Sequence, residues 1–421
     1  MQYIFNYAHT ADIHLGKNIY DKSRFLEHEK FLNFLHDTLV KEEIDVLLIC
    51  GDVFDTQTPS HKSQELYYKF LSSLPSVESL KDVVITGGNH DSPSFLNACR
   101  PILKSLNVHV VSAFNGDLNE EVLVLKDKND KPYLVIGAVP YLRQKDVRLS
   151  DFYDDGQDKA LKLKNGIANH YKEIGLLCEK AAKEFSPPLP IIGCGHLFVT
   201  GASVSSDEKP QSLYVGTLDN VPVNIFPDCF LYTALGHLHS QQTINNPFNK
   251  NIVRYSGSPL QLSFSENCPK SLSLIEISNT KEICVSKIEV PIFCKLVSLK
   301  GKRDEIIDKV NELVQKNKPL YLEVLYEDSI PIADLADVLY KATEDSLVEL
   351  LAIKDLNLKE RFLKGHSVDE YLEDLTPKDV LERCLISHNI PEDLRSEYHK
   401  TFDEIIGIYN EQDKMALKDH Q

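Results

Sequence analysis

Eight residues carry donor groups that a metal ion or a phosphoryl-transfer reaction would use: Asp12, His14, Asp52, Asn89, His90, His196, His237 and His239. They fall in five short motifs: Asp-x-His at 12–14, Gly-Asp-Val-Phe-Asp at 51–55, Gly-Asn-His-Asp at 88–91, Gly-His at 195–196 and Gly-His-x-His at 236–239. Leaving His90 aside, the set is two carboxylates, four imidazoles and one amide oxygen. Mixed oxygen and nitrogen donors without thiolate suit Mn, Fe, Zn or Mg rather than a structural cysteine site. The two oxygens of Asp52 can bridge two ions, which gives each ion four protein ligands. Two ions about 3.5–4 Å apart stabilise the attacking and leaving oxygens of an in-line displacement, and they lower the pKa of a bridging water. His90 adjoins Asn89, so the two side chains do not enter one ligand shell the same way. His90 is thereby left as a general acid for the leaving alkoxide. Asp55 or Asp91 could orient it, and the sequence does not choose. Any one histidine alone is more often a packed or surface residue; the ordered set carries the argument.

The elements that position these residues read as strands ending at each motif. Residues 3–9 form an apolar strand entering Asp12 and His14, which are two apart and so share a side in extended backbone. Residues 44–50 form a buried strand that Gly51 ends, placing Asp52 at its carboxyl end, where open α/β sheets bind ligands. Strands at 83–86, 191–196 and 230–235 deliver Asn89, His196, and His237 with His239. Helices are expected at 25–43, 63–74 and 158–185 from their apolar spacing. Further strands are expected at 108–112, 121–125, 133–139, 252–256, 271–277 and 283–290. A helical stretch near Phe95–Leu106 is a candidate dimer surface, with plain core packing as the alternative. Strand–helix alternation signals a parallel or mixed sheet covered by helices.

After about Pro291 the composition changes. Strands at 295–299 and 320–325 alternate with helices at 302–315 and 332–342, a small α+β unit without site residues. Beyond Lys354 the chain reads as helical and acidic, with Thr376-Pro377 as a helix start. The expected division is therefore 1–290, 291–353 and 354–421.

The chain has 421 residues, 42% hydrophobic and 26% charged, as in soluble globular proteins of two or three domains. No stretch approaches the roughly 20 apolar residues of a membrane span. The N-terminus lacks a signal-peptide pattern, and nine scattered cysteines without a Cys-x-x-Cys pair fit a reducing compartment, so a cytoplasmic location is expected. Net charge is −17, which argues against a protein that wraps nucleic acid unaided. It does not exclude a nuclease whose metals or partner supply positive charge.

The ordered motifs resemble those of the calcineurin-like metallophosphoesterases from about Tyr3 to Val290. The resemblance implies an α/β (α+β) sandwich of two mixed sheets flanked by helices. It implies that Asp12, His14, Asp52 and His239 hold one ion, that Asp52, Asn89, His196 and His237 hold the other, and that His90 is the catalytic histidine. Mn²⁺ is the first expectation for both ions, with Mg²⁺, Fe or Zn as alternatives. Protein phosphatases of the family carry Arg soon after the Asp52 motif; Thr56-Gln-Thr-Pro59 stands here and points away from them. The segments His9–Gly16, Gly216–Pro222, Tyr232–His239 and Tyr255–Glu266, and the unit at about 292–350, resemble the family's bacterial repair-nuclease subunits. That likeness implies 3′→5′ exonuclease action on double-stranded DNA and endonuclease action on single strands and hairpins. It also implies an ATPase partner docked by the helical tail, in an assembly with two copies of each chain. Alternatives are a small-molecule phosphodiesterase on the same fold, which leaves the tail unexplained, and a non-enzymatic scaffold, which would tolerate a broken ligand set.

Overall fold

A computed structural model describes residues 3–147, 156–203, 221–278, 280–328, 335–357 and part of 378–403. The chain forms two compact units: Met1–Ser298 with Lys316–Glu323 and Ser346–Ala352, and Leu299–Gln315 with Val324–Asp345 and Ile353–Gln421.

The first unit is built on two six-stranded sheets. One runs β14 (Ile283–Glu289), β13 (Ser271–Ser278), β1 (Tyr3–Thr10), β4 (Val46–Cys50), β5 (Asp82–Thr86), β6 (Val108–Val111). The other runs β11 (Gln242–Ile244), β12 (Ile252–Tyr255), β10 (Tyr232–Gly236), β9 (Ile191–His196), β8 (Pro132–Ala138), β7 (Val122–Lys126). Both are mixed. Strands β1, β4, β5 and β6 are parallel, with β13 antiparallel to β1 and β14 to β13. Strands β12, β10, β9 and β8 are parallel, with antiparallel β11 and β7 at the edges. A two-residue hairpin pairs β2 (Asn18–Ile19) with β3 (Lys22–Ser23).

Strand β4 shows why the sequence reads as one apolar run. Val46, Leu48 and Cys50 pack with Ile192, Cys194, Tyr232 and Ala234 of the other sheet. Leu47 and Ile49 join the core formed with α1 (Phe25–Lys41) and α2 (His61–Ser73). A strand buried on both faces cannot alternate polar with apolar. On the second sheet's outer face, α6 (Gly156–Lys183) buries Leu163, Ile167, Tyr171, Ile174, Cys178 and Ala182, a stripe at helical spacing. The result is helix, sheet, sheet, helix, and the carboxyl ends of the parallel strands in both sheets carry the five motifs.

Residues expected to form one helix near 95–106 form two, α3 (Pro93–Ala98) and α4 (Arg100–Lys104). Pro101 has no N–H to bond back, so it begins a new helix rather than continuing the old one. Leu96 and Leu103 are buried there, while Ile102 is exposed. A short helix, α5 (Gln144–Val147), precedes α6.

A third sheet has the order β15 (Lys295–Gly301), β16 (Leu320–Tyr326), β17 (Val348–Asp355). Strand β17 was not legible, because Val-Glu-Leu-Leu-Ala-Ile-Lys-Asp has no clean period of two. The helices Arg303–Gln315 and Leu335–Thr343 bury Ile306, Val310, Leu335 and Leu339. In the acidic tail, residues 394–403 are helical, with shorter helical pieces from 378. Of the tail's apolar residues, Leu358, Phe362, Tyr371, Leu372, Leu375, Val380, Ile405, Ile406 and Tyr409 lie outside the described residues, as do the expected Thr376-Pro377 start and residues 216–220 of the Gly216–Pro222 segment. No described helix is long and apolar enough to cross a membrane. The described cysteines are free.

Candidate metal centre

The loops after β1 and β4 continue to pair beyond their strands. The N–H of Asp12 donates to Gly51 O at 3.0 Å, that of His14 to Asp52 O at 3.0 Å and that of Leu15 to Val53 O at 2.8 Å. The loop after β5 joins them, since His90 N–H donates to Asp52 Oδ1 at 2.8 Å. The other sheet is tied in by His237 N–H, 2.9 Å from Asp12 Oδ1. Close approach demands glycine: a Cβ on Gly88 would lie 2.1 Å from Asp52 Oδ1, and one on Gly51 (φ +82°) 2.0 Å from His196 Nδ1.

All seven expected ligands and His90 meet in this cluster. Ligand atoms of Asp12, His14 and His239 lie within 4.8 Å of one another, as do those of Asp12, Asp52 and His196, and those of His14, Asp52 and His90. His196 Nε2 is 3.2 Å from Asp52 Oδ2 and 3.0 Å from Asn89 Oδ1, and His237 Nδ1 is 3.1 Å from the same Asn89 oxygen. Asp12, His14, Asp52, His196 and His237 are buried.

Three histidines are oriented from behind. His14 Nδ1 donates to Asp55 Oδ1 at 3.1 Å, His196 Nδ1 to Cys50 O at 3.0 Å and His239 Nδ1 to Glu266 Oε1 at 3.1 Å. A ring nitrogen that donates backward leaves the other nitrogen with a lone pair facing inward, the arrangement that holds metal-binding imidazoles. His14 Nε2 is buried without a hydrogen-bond partner, 3.7 Å from Asp52 Oδ2. An orphaned buried lone pair costs about 1–3 kcal/mol unless something fills it. Donor atoms about 3.0 Å apart also match the edge of an octahedron whose ligands stand about 2.1 Å from an ion. The residues present therefore fit two divalent ions, and the fold family implies such ions.

Burial works to lower the His196 ring, but the Asp52 carboxylate, by charge and hydrogen bond, and Asp12 raise it to about 9, so His196 and Asp52 form a charged pair. Burial works to raise the Asp52 carboxyl, but His196, with His14 and His90, holds it far below the usual range. Burial lifts Asp12 to about 7, with the Asp52 charge adding to the rise. Burial lowers His14 and takes His237 down to about 3, so these rings stay neutral and able to ligate.

Neither carboxylate considered for orienting His90 reaches its ring. His90 Nδ1 donates instead to the Asp55 main-chain carbonyl at 2.8 Å. The Asp55 side chain serves His14 and takes Lys17 Nζ at 3.2 Å. The buried Asp91 carboxylate accepts N–H bonds from Gly88 (2.9 Å), Phe54 (2.9 Å) and Val53 (3.2 Å), clamping the loops after β4 and β5 together. Glu266 was missed: it is buried, holds His239 and is in turn paired with Lys270. Its one sequence signal is an isolated acid in the Tyr255–Glu266 segment. The shared orientation expected of Asp12 and His14 from extended backbone has a different cause. Both take left-handed conformations, φ 52° and 49°, beyond the end of β1.

Residues 5–219 match the calcineurin-like phosphoesterase family, and residues 293–389 match SbcD_C, the type 5 capsule protein repressor C-terminal domain. The SbcD chain of nuclease SbcCD from Escherichia coli K12 is 31% identical over 398 residues, covering 94% of this chain and 96% of its own length. Its counterpart of the same name from Bacillus subtilis is 29% identical over 331 residues, covering 78% of this chain and 81% of its own. That of Rhodobacter capsulatus is 34% identical over 268 residues, 61% of this chain and 62% of its own. The site geometry, the match over half of the chain and the end-to-end relative lead to one conclusion: the chain belongs to the calcineurin-like phosphoesterases, metal-binding hydrolases, and within them to the SbcD family.

Proposed function

We propose that this chain is a two-metal DNA nuclease subunit. It hydrolyses phosphodiester bonds as a 3′→5′ exonuclease on double-stranded DNA and as an endonuclease on single-stranded and hairpin DNA, together with an SbcC-like ATPase in DNA repair. The observation that carries the catalytic reading is the backward bonding of His14, His196 and His239, which turns three imidazole nitrogens inward, those of His14 and His196 toward Asp52 and that of His239 toward Asp12 and His14. Similarity to nuclease subunits over 94% of the chain supports the substrate and the ATPase partner.

In this reading Asp12, His14, Asp52 and His239 hold one ion, and Asp52, Asn89, His196 and His237 the other, Mn²⁺ being the first choice. Bound divalent ions place positive charge at the attacking and leaving oxygens of the phosphodiester. Asp52 sits between the two halves, ionised and buried, so its oxygens keep the donors in register. The Asp55 carbonyl fixes His90 Nδ1, which leaves Nε2 as the nitrogen that gives a proton to the leaving alkoxide. His90 is exposed, as a group that meets substrate must be. The domain division of 1–290, 291–353 and 354–421, with the helical tail docking the ATPase and the nuclease chains paired in a heterotetramer, belongs to the same proposal.

The test is cleavage of a linear duplex and a hairpin with Mn²⁺ or EDTA, with and without an SbcC-like ATPase and ATP. Mn²⁺-dependent cutting, extended on duplex ends by the ATPase and lost in Asp52→Asn and His90→Ala, is the expected result. Hydrolysis of small phosphodiesters without DNA cleavage, even with the ATPase present, would move the assignment to a small-molecule phosphodiesterase.

A further inference from the structure

We propose that Lys17 is a substrate-positioning residue whose ammonium holds a backbone phosphate of the nucleic-acid strand beside the scissile bond. The proposal rests on the nuclease reading above.

Lys17 is tied to the site by its main chain, its N–H donating to His14 O at 2.9 Å. Its Nζ lies 3.2 Å from Asp55 Oδ1, the same oxygen that accepts from His14 Nδ1 at 3.1 Å. The carbonyl of that same Asp55 holds His90. The ammonium therefore stands one residue away from both a metal-facing histidine and the proposed acid.

Two lysines pair with the carboxylates that hold the site's histidines, and they differ. Lys270, 9% exposed, spends its three donors on Glu266, Ser258 Oγ and the His239 carbonyl. Lys17 is 33% exposed and has one carboxylate oxygen, which His14 already uses. A partly exposed ion pair of this kind is worth little, and Asp55 keeps a partner when Lys17 leaves. The ammonium can thus exchange Asp55 for a phosphate oxygen at small cost.

Charge supplies the need. A chain of net charge −17 repels a polyanion. Ions bound by the histidine cluster serve the scissile phosphate, and a cation on the chain beside that cluster is placed to hold the neighbouring one. Lysine is a compact point charge on a flexible stem, suited to a phosphate that shifts as the strand advances.

The test compares the full-length chain with Lys17→Gln and Lys17→Arg on two Mn²⁺-dependent substrates: a labelled DNA oligonucleotide, and bis(p-nitrophenyl) phosphate, which has no flanking phosphates. Oligonucleotide binding in EDTA, followed by fluorescence anisotropy against salt, is measured alongside. Lys17→Gln is expected to raise KM for the oligonucleotide about tenfold with kcat within about twofold, and to reduce the salt slope of binding by about 0.7–0.9, the value of one phosphate contact. Kinetics on the small diester should not change, and Lys17→Arg should restore binding. Equal losses on both substrates with weakened Mn²⁺ binding would overturn the proposal, making Lys17 a prop for Asp55 and His14. An unchanged salt slope and KM would overturn it as well. If the wild-type chain hydrolyses the small diester but neither binds nor cuts DNA, the nuclease reading falls first and takes this role with it.

Discussion

Asp91 separates a structural carboxylate from a catalytic one. It is fully buried and accepts three main-chain N–H bonds, two from the loop after β4 and one from the loop after β5. Burial lifts its carboxyl to about 6, with the Asp52 charge pushing the same way and the three N–H groups opposing. Asp91→Ala would strand three buried donors. At about 1–3 kcal/mol for each unsatisfied group, partly relieved by local relaxation and entering water, the expected destabilisation is about 3–6 kcal/mol. Asp91→Asn keeps the shape and one oxygen. Placed at the Oδ2 position, that oxygen still serves Val53 and Gly88, while its NH₂ faces the Phe54 N–H. Removing the like charge beside Asp52 offsets part of the loss, so about 1–3 kcal/mol is expected. The assay is urea unfolding in EDTA for stability, paired with kcat at saturating Mn²⁺. Expected is a clear stability order of wild type, Asp91→Asn, Asp91→Ala, with Asp91→Asn retaining kcat within about threefold, because the Asp55 carbonyl and not Asp91 holds His90. An Asp91→Ala protein as stable as wild type but inactive would refute the clamp and return Asp91 to the chemistry.

His9 gives a pH dependence of stability. It is buried against Tyr232 Oη at 2.9 Å, and burial, with Arg254 nearby, lowers its pKa from 6.5 to about 3. Below pH 6.5 the unfolded chain takes up a proton that the folded chain refuses, so stability present above that pH is lost as pH falls toward 3; from pH 7 to 5 the loss is about 2 kcal/mol, and His9→Gln should flatten the denaturation-midpoint profile by that amount. A His9→Gln profile parallel to wild type would count against a neutral buried His9. Glu266→Gln should weaken Mn²⁺ binding about 10–100-fold in a thermal-shift titration, because the His239 ring loses its carboxylate anchor; unchanged affinity would remove Glu266 from the site's support. Gly88→Ala should lower cleavage at least about 100-fold, because its Cβ, 2.1 Å from Asp52 Oδ1, must push that carboxylate out of register; a fully active variant would show that Asp52 tolerates displacement.

The five motifs and their strands were legible because each rests on local signals. A continuous apolar run ending at Gly51 reads as a buried strand, and the helical stripe of Leu163, Ile167, Tyr171, Ile174, Cys178 and Ala182 announces α6. What joins distant segments was not legible. Glu266 and Asp91 act through His239 and through the N–H groups of Val53, Phe54 and Gly88, partners that no spacing rule connects. The choice between Asp55 and Asp91 could not be made from sequence, because the group that orients His90 is a main-chain carbonyl, which every residue possesses. Strand β17 escaped because its burial pattern follows neighbours rather than a period of two.

The backbone at the centre explains why a period-two argument placed Asp12 and His14 on one side for a reason that fails. Asp12 (φ 52°), His14 (φ 49°), Asp52 (φ 49°) and His237 (φ 98°) all take positive φ. Each such conformation costs a non-glycine residue about 1–3 kcal/mol and persists only where surrounding bonds over-determine it. Those bonds are on hand: Asp12 N–H to Gly51 O, His14 N–H to Asp52 O, and His237 N–H to Asp12 Oδ1. They run between the loops, so the conformation of each donor depends on another donor's segment. Four candidate ligands are thus aimed by one cooperative network rather than by the pleat of their strands. That network is made of this chain's own main-chain and side-chain groups, and it places the donors within reach of one another. Moving one loop by a residue would break both its own ligand geometry and that of its neighbour, so the centre should be lost as a unit: Asp12→Ala, which removes the acceptor of the His237 N–H, should weaken Mn²⁺ binding by more than the loss of one carboxylate ligand alone.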